Sequence, residues 1–103
     1  MDATLVTSAA AEVEVGRALR RRSAPASIHK SAQQLLERCD VVDLTADIRS
    51  RAIDVRPSSV RALDAIHVAT AIVAGLQDFA SFDLRQRVAA EEMGLRLVPA
   101  GAA

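Results

Sequence analysis

The chain has 103 residues, half of them hydrophobic, and its 13 basic and 13 acidic residues give a formal net charge of zero. This length suits one domain, whose core must be aliphatic because the chain has only two aromatic residues. The neutral charge excludes a global basic field for non-specific nucleic-acid binding, so any such contact must come from a local patch.

Cysteine content and hydropathy indicate the compartment. Cys39 is the single cysteine, which excludes an internal disulfide and favours a reducing environment. The sequence contains no apolar run of the ~20 residues that a membrane-spanning helix needs, and no basic-then-apolar signal pattern at its start. We therefore expect a soluble, cytoplasmic protein with no membrane partner.

The first half of the chain predicts strands alternating with capped helices. Short β-branched runs favour strands, and Ser or Thr directly before a helical pattern is typical of an N-cap. In chain order we expect a strand over 4–7, a helix over 9–22 capped by Ser8, a helix over 26–38, a strand over 41–44 and a helix capped by Thr45.

The second half continues the alternation. We expect a helix over 63–74 ended by Gly75, a strand over 79–82, a helix reaching Met93 and ended by Gly94, and a strand over 95–98. Strands separated by helices, without hairpin turns, imply parallel pairing with helices on both faces of a sheet. The sequence therefore predicts an α/β fold with a parallel sheet.

The helix over 63–74 is apolar around most of its circumference, with three polar exceptions. Asp64, His67 and Thr70 follow each other at intervals of three, which places them on one stripe. Asp64 has two readings: a first-turn acid that favours the positive end of the helix dipole, or a group that binds something. For His67 we favour packing and a hydrogen bond over chemistry.

Three acids from separate elements form a candidate metal site. In parallel sheets, reactive groups gather beyond the carboxyl ends of the strands, where Asp83 is expected, and helices bring Asp64 and Glu14 toward that edge. Carboxylate and water oxygens suit hard cations such as Mg²⁺ or Mn²⁺. The alternative is that these acids are N-caps and surface charges.

The arginines that close the first helix also have two readings. The run over 20–22 either supplies favourable cations at the helix C-terminus or forms a small phosphate-binding patch. Arg17 lies three residues after Glu14, a spacing that allows the two side chains to pair on one helix face.

Several segments resemble PIN-domain ribonucleases, particularly the VapC toxins of bacterial toxin–antitoxin pairs. Residues 63–71, LDAIHVATA, are similar to that family's L-D-A-I-H-x-A-T-A segment. Residues 81–83 resemble its T-x-D strand end, residues 94–99 its G-L-x-V and closing region, and residues 7–20 the helix that carries its second acid. The resemblance implies a PIN-like three-layer fold with a parallel sheet.

The resemblance also assigns roles to residues. Glu14, Asp64 and Asp83 occupy the family's second, third and fourth acidic positions, which implies that Asp64 and Asp83 ligate Mg²⁺ or Mn²⁺. Glu14 would be a ligand or a water-positioning base. Ser81 stands where the family usually has Thr and could form the same hydrogen bonds.

The implied activity is metal-assisted hydrolysis of RNA phosphodiester bonds by an endoribonuclease toxin, blocked by a cognate antitoxin protein. Arg17 and Arg20 would contact the RNA backbone or restrain Glu14, and Ser81 is a weaker candidate for an RNA contact. A homodimer is also expected.

One departure from the family affects these expectations. The family begins with a central strand ending in a metal-binding Asp, followed by two helices, and here the chain starts just before the later strand at Leu5. We therefore expect residues 1–103 to form a single, incomplete PIN-like domain with weakened metal binding and negligible cleavage. The alternative function is a non-catalytic remnant that serves only for dimerisation or antitoxin binding.

Overall fold

The computed structural model describes residues 5–99. The chain divides into two compact units, Met1–Asp43 and Leu44–Ala103. That residues 1–103 form one incomplete domain stays a prediction. Among residues 5–99, no helix is both long enough and apolar enough to cross a lipid bilayer.

Over residues 5–43, the first unit contains two parallel strands and two helices. Ser8 caps the first helix as predicted, because its Oγ accepts a hydrogen bond of 3.1 Å from the backbone N–H of Ala10. The first strand begins at Val6, and Thr4, its predicted start, lies outside the described residues. The elements are β1 (Val6–Ser8), α1 (Ala9–Arg21), α2 (Ala26–Glu37) and β2 (Asp40–Val42), with β1 pairing to β2.

As far as Pro99, where the described chain ends, the second unit contains three helices and two parallel strands. Thr45 caps its first helix as predicted, with Oγ1 accepting from the backbone N–H of Ile48 at 3.2 Å. The elements are α3 (Ala46–Ile53), α4 (Ala62–Val73), β3 (Asp78–Ala80), α5 (Leu84–Glu92) and β4 (Arg96–Val98), with β3 pairing to β4.

The core of the second unit lies mainly between α3 and α4 and is built mostly from aliphatic side chains, as the composition predicts, and Phe79 is also buried. Ile48 on α3 and Val68 and Ala69 on α4 are completely buried. Gly75 and Gly94 follow α4 and α5 with φ of +74° and +90°. These left-handed conformations suit glycine, so both predicted helix stops are confirmed.

The predicted α/β class, with helices and parallel strands, is confirmed. Within residues 5–99 the strands form two sheets of two, one in each unit. The strand β3 is shorter than the predicted 79–82 because Ser81 and Asp83 form the turn that begins α5. This turn determines the geometry of the candidate site.

Candidate functional site

Asp64 lies in the first turn of α4, and its side chain is buried: the residue is only 8% exposed. The positive end of the helix dipole favours a carboxylate at this position. Its Oδ1 also accepts a hydrogen bond of 2.9 Å from Nε2 of Gln86 on α5. Burying a carboxylate is costly unless it is paired, and the amide donor offsets part of that cost.

Asp83 is the N-cap of α5. Its Oδ1 accepts hydrogen bonds from the backbone N–H groups of Arg85 at 2.9 Å and Gln86 at 3.3 Å. The residue stands three positions after the end of β3 at Ala80, on the exposed surface of the turn. One reading of the sequence treated the acids as N-caps, and for Asp83 that capping role is present. Capping engages Oδ1, and a carboxylate has a second oxygen for a further partner.

Gln86 joins the two aspartates. Its side-chain amide reaches Asp64, and its backbone N–H reaches Asp83. Its Oε1 accepts a hydrogen bond of 3.1 Å from the hydroxyl of Ser81, whose Oγ accepts one of 3.0 Å from the backbone N–H of Asp83. We call these four residues, Asp64, Ser81, Asp83 and Gln86, the Gln86 network.

Sequence reasoning did not identify Gln86. The available signal was the spacing Asp83-x-x-Gln86, which is typical of a capping box, in which the third helical residue returns to the N–H of the N-cap. In the structure Ser81 takes that N–H, and the Gln86 side chain points to Asp64 instead.

The donor chemistry of the Gln86 network fits a hard divalent cation. Asp64 and Asp83 supply carboxylate oxygens and each bonds Gln86, and Mg²⁺ is commonly held by one or two carboxylates and several waters. Within residues 44–99, no three His, Cys, Asp or Glu side chains form a group that could hold a metal ion. That Asp64 and Asp83 ligate such an ion stays a prediction.

The other candidate residues lie on α1, in the first unit. Glu14 is half-buried there, and Arg17 and Arg20 are exposed, as is Glu12, which has no predicted role. The proximity of Glu14 to Asp64 and Asp83 stays a prediction.

The remaining polar residues of the α4 stripe differ from Asp64. Thr70 is buried, and its Oγ1 donates a hydrogen bond of 2.7 Å to the carbonyl of Ile66 in the preceding turn. That bond satisfies the hydroxyl within its own helix, so Thr70 has a structural role. His67 is half-buried on the same stripe.

Arg87 holds the turn that carries Ser81. Its guanidinium donates to the carbonyl oxygens of Ser81 at 2.8 Å, Val98 at 3.3 Å and Pro99 at 3.0 Å. The side chain thus links α5 to the ends of both strands of the second unit. The bond to Ser81 ties the backbone of that turn to α5.

At the opposite end of this sheet, an ion pair joins the two strands at register partners. Nε of Arg96 donates to Oδ1 of Asp78 at 2.6 Å, and both side chains are largely exposed. The hydrogen bond from Arg96 lowers the pKa of Asp78, and the same bond raises the pKa of Arg96. Because the pair is exposed to solvent, its contribution to stability is small.

Comparisons with known proteins match this chain to the PIN domain and to ribonucleases named VapC. The family model of the PIN domain matches residues 1–92. Ribonuclease VapC35 of Mycobacterium tuberculosis, from both the CDC 1551 and H37Rv strains, is 39% identical over 102 residues, which cover 95% of this chain and 74% of the relative. Ribonuclease VapC47 of the CDC 1551 strain is 33% identical over 98 residues, which cover 93% of this chain and 71% of the relative. No solved structure matches the chain significantly.

Proposed function

Because this chain belongs to the PIN-domain family and is similar to VapC-type members of it, we propose that it is an endoribonuclease toxin of a toxin–antitoxin pair. Two relatives that match over nearly its full length are named ribonucleases. The structural observation that carries the proposal is the contact of Gln86 with both Asp64 and Asp83, which gathers two carboxylates on one side chain and its backbone.

In this proposal Asp64 and Asp83 would hold a divalent cation, Mg²⁺ or Mn²⁺. Such an ion would supply positive charge to stabilise the phosphate and to make a water molecule more acidic. Glu14 adds a third carboxylate, as a ligand or as the base that orients the attacking water. Asp64 is held by its hydrogen bond to Gln86, which limits its movement relative to the substrate.

The proposed RNA contacts come from α1. Arg17 and Arg20 are exposed on one helix three residues apart, so both guanidinium groups can reach neighbouring phosphates. Ser81 contributes less directly than the sequence suggested, because its hydroxyl already bonds Gln86 and the Asp83 backbone.

The proposed protein partners are a cognate antitoxin and a second copy of the chain, in the cytoplasm. The side chains on either side of Asp83 support a binding surface here, because Phe82 is 88% exposed and Leu84 is 74% exposed. Apolar groups beside a polar site are typical of protein interfaces. This observation also favours the second candidate function, a non-catalytic module that binds an antitoxin or dimerises.

The first experiment measures Mn²⁺ binding by calorimetry to the purified chain. The variants Asp64→Asn, Asp83→Asn and Glu14→Gln each remove one carboxylate with little change in shape. Asp47→Asn is the matched control, because Asp47 is an exposed first-turn acid on α3. We expect the site variants to bind Mn²⁺ more weakly and Asp47→Asn to bind as the wild type does. Equal binding by all proteins would refute the site.

The second experiment separates the two candidate functions. RNA is incubated with the chain and Mg²⁺ or Mn²⁺, with and without a chelator, and with the chain extended by an N-terminal strand–Asp–helix segment. Cleavage that Asp64→Asn abolishes and Glu12→Gln retains supports the ribonuclease. If the chain binds metal but neither the chain nor its extended form cleaves RNA, the result supports the non-catalytic module.

A further inference from the structure

Gln86 is the one residue of the Gln86 network that is neither an acid nor a match to a family motif, yet it contacts the other three. We propose that Gln86 is a positioning residue: its side-chain amide holds the Asp64 carboxylate in the orientation that binds the cation. Ser81 in turn fixes the amide. This inference rests on the proposed function and adds to it a residue that acts through Asp64.

The orientation of the amide follows from the charges around it. An ionised carboxylate can only accept hydrogen bonds, so the nitrogen of Gln86 must face Asp64. The oxygen of the amide then faces Ser81, whose hydroxyl donates to it. The reverse orientation would place the amide oxygen against the Asp64 oxygen, with two acceptors in contact.

The hydroxyl of Ser81 is oriented by the backbone. Its Oγ accepts from the N–H of Asp83, so its own hydrogen is directed away from that bond and toward Gln86. The three hydrogen bonds therefore run in one direction, from the Asp83 backbone through Ser81 and Gln86 to Asp64. Within this series, the side chains of Ser81 and Gln86 each accept one hydrogen bond and donate one.

Ser81 also releases Gln86 for this task. In a capping box, the side chain at the position of Gln86 accepts from the N–H of the N-cap residue, here Asp83. Ser81 takes over that acceptor role at 3.0 Å, which leaves the Gln86 amide free to cross to α4. Because the N–H of Asp83 already has Ser81 as its acceptor, the Gln86 side chain is not needed for that bond.

The consequence is a carboxylate that is ordered before the cation arrives. Without the amide, Asp64 would be a buried carboxylate lacking this donor, and it would turn toward solvent or neighbouring donors. Groups that hydrogen-bond a metal ligand typically change metal affinity by about 10- to 100-fold when removed. We expect a loss of that size on removal of the Gln86 amide.

The test is a Mn²⁺ titration of the whole chain, with free Mn²⁺ measured by electron paramagnetic resonance. Gln86→Met keeps the length of the side chain and removes the amide. Gln34→Met is the matched control, since Gln34 is exposed on α2. We expect about 10- to 100-fold weaker binding for Gln86→Met and wild-type binding for Gln34→Met. Binding by Gln86→Met within twofold of the control overturns the inference.

Two further variants keep the test decisive if Gln86→Met lowers the thermal midpoint. Ser81→Ala removes the group that fixes the amide and should weaken Mn²⁺ binding, whereas Ser81→Thr keeps the hydroxyl and should restore it. Equal affinities for the two Ser81 variants contradict the inference.

A metal-free measurement separates this inference from the proposed function. The side-chain amide resonance of Gln86, observed by ¹⁵N-edited NMR, should shift in Asp64→Asn because the acceptor loses its charge. An unchanged resonance overturns the positioning role and leaves the metal site standing. A wild-type chain that binds no Mn²⁺ overturns the proposed function and, with it, the positioning role, even if the resonance shifts.

Discussion

Asp83 caps α5, and in the proposed function it also binds the cation. Two substitutions of Asp83 separate these two roles. Asp83→Ala removes the acceptor of both backbone N–H bonds and the charge. Asp83→Asn keeps an oxygen acceptor, which serves as well as Asp in an N-cap, and removes only the charge. The two variants should therefore differ in stability and agree in function.

The magnitudes follow from the cap geometry. Losing an N-cap acceptor costs about 1 kcal/mol in the free energy of unfolding. Losing a negative charge at an exposed helix N-terminus costs about 0.5 kcal/mol more. We expect Asp83→Ala to lose about 1.5 kcal/mol and Asp83→Asn about 0.5 kcal/mol, a difference of about 1 kcal/mol. Mn²⁺ binding should weaken equally in both, because each lacks the ionised oxygen.

The assay is urea unfolding followed by circular dichroism, in parallel with a Mn²⁺ titration. With a typical urea dependence of about 1–3 kcal/mol per molar, the two midpoints should differ by about 0.3–1 M. If Asp83→Asn binds Mn²⁺ like the wild type while Asp83→Ala does not, Asp83 acts through helix α5 alone. Equal midpoints for the two variants would show that the described cap is wrong.

Three further outcomes follow from the second unit. Ile48→Ala should lower the free energy of unfolding by about 2–5 kcal/mol, because Ile48 is completely buried. Ile53→Ala, on the same helix but 83% exposed, should lower it by less than about 0.5 kcal/mol. Similar urea midpoints for the two variants would contradict the core assignment. Arg87→Met removes donors to three backbone carbonyls and should cost about 1–3 kcal/mol in the same assay, whereas an unchanged midpoint would show that these bonds contribute nothing. The hydrogen bond from Arg96 lowers the pKa of Asp78 below its ordinary value of 3.8. The pair therefore stabilises the folded state fully at a pH above 3.8, and this stabilisation is lost as the pH falls through the lowered pKa. Asp78→Asn should therefore lower the unfolding midpoint slightly at neutral pH and have no effect well below pH 3.8; a difference that persists in acid would exclude the pair as its cause.

Features decided by a few neighbouring residues were predictable from the sequence. Ser8 and Thr45 cap their helices through bonds that span two or three residues, and both glycine stops, Gly75 and Gly94, need only a left-handed backbone. The prediction for Phe82 was less accurate, because an apolar aromatic favours a strand. The cap formed by Asp83 instead ended the strand at Ala80.

Features that depend on contacts between residues far apart in the sequence could not be predicted from neighbouring residues. The bond between Gln86 and Asp64 joins residues 22 positions apart, and it exists only because α4 and α5 are neighbours. The separation of the strands into two sheets likewise depends on which strands meet and has no local signal. Asp64 and Asp83 were candidates because of their expected places on a helix and at a strand end and because of the motif resemblance, whereas the residue that connects them came from the structure.

The contrast between the two phenylalanines has an optical consequence. Phe79 is buried at 8% exposure in the second unit, Phe82 projects into solvent beside Asp83, and the chain has no tryptophan or tyrosine. The protein therefore has almost no intrinsic fluorescence in the near ultraviolet. Phe82→Trp would place a single indole beside the candidate site, where its emission should move to shorter wavelength when a protein partner covers that surface and stay unchanged when a partner binds elsewhere.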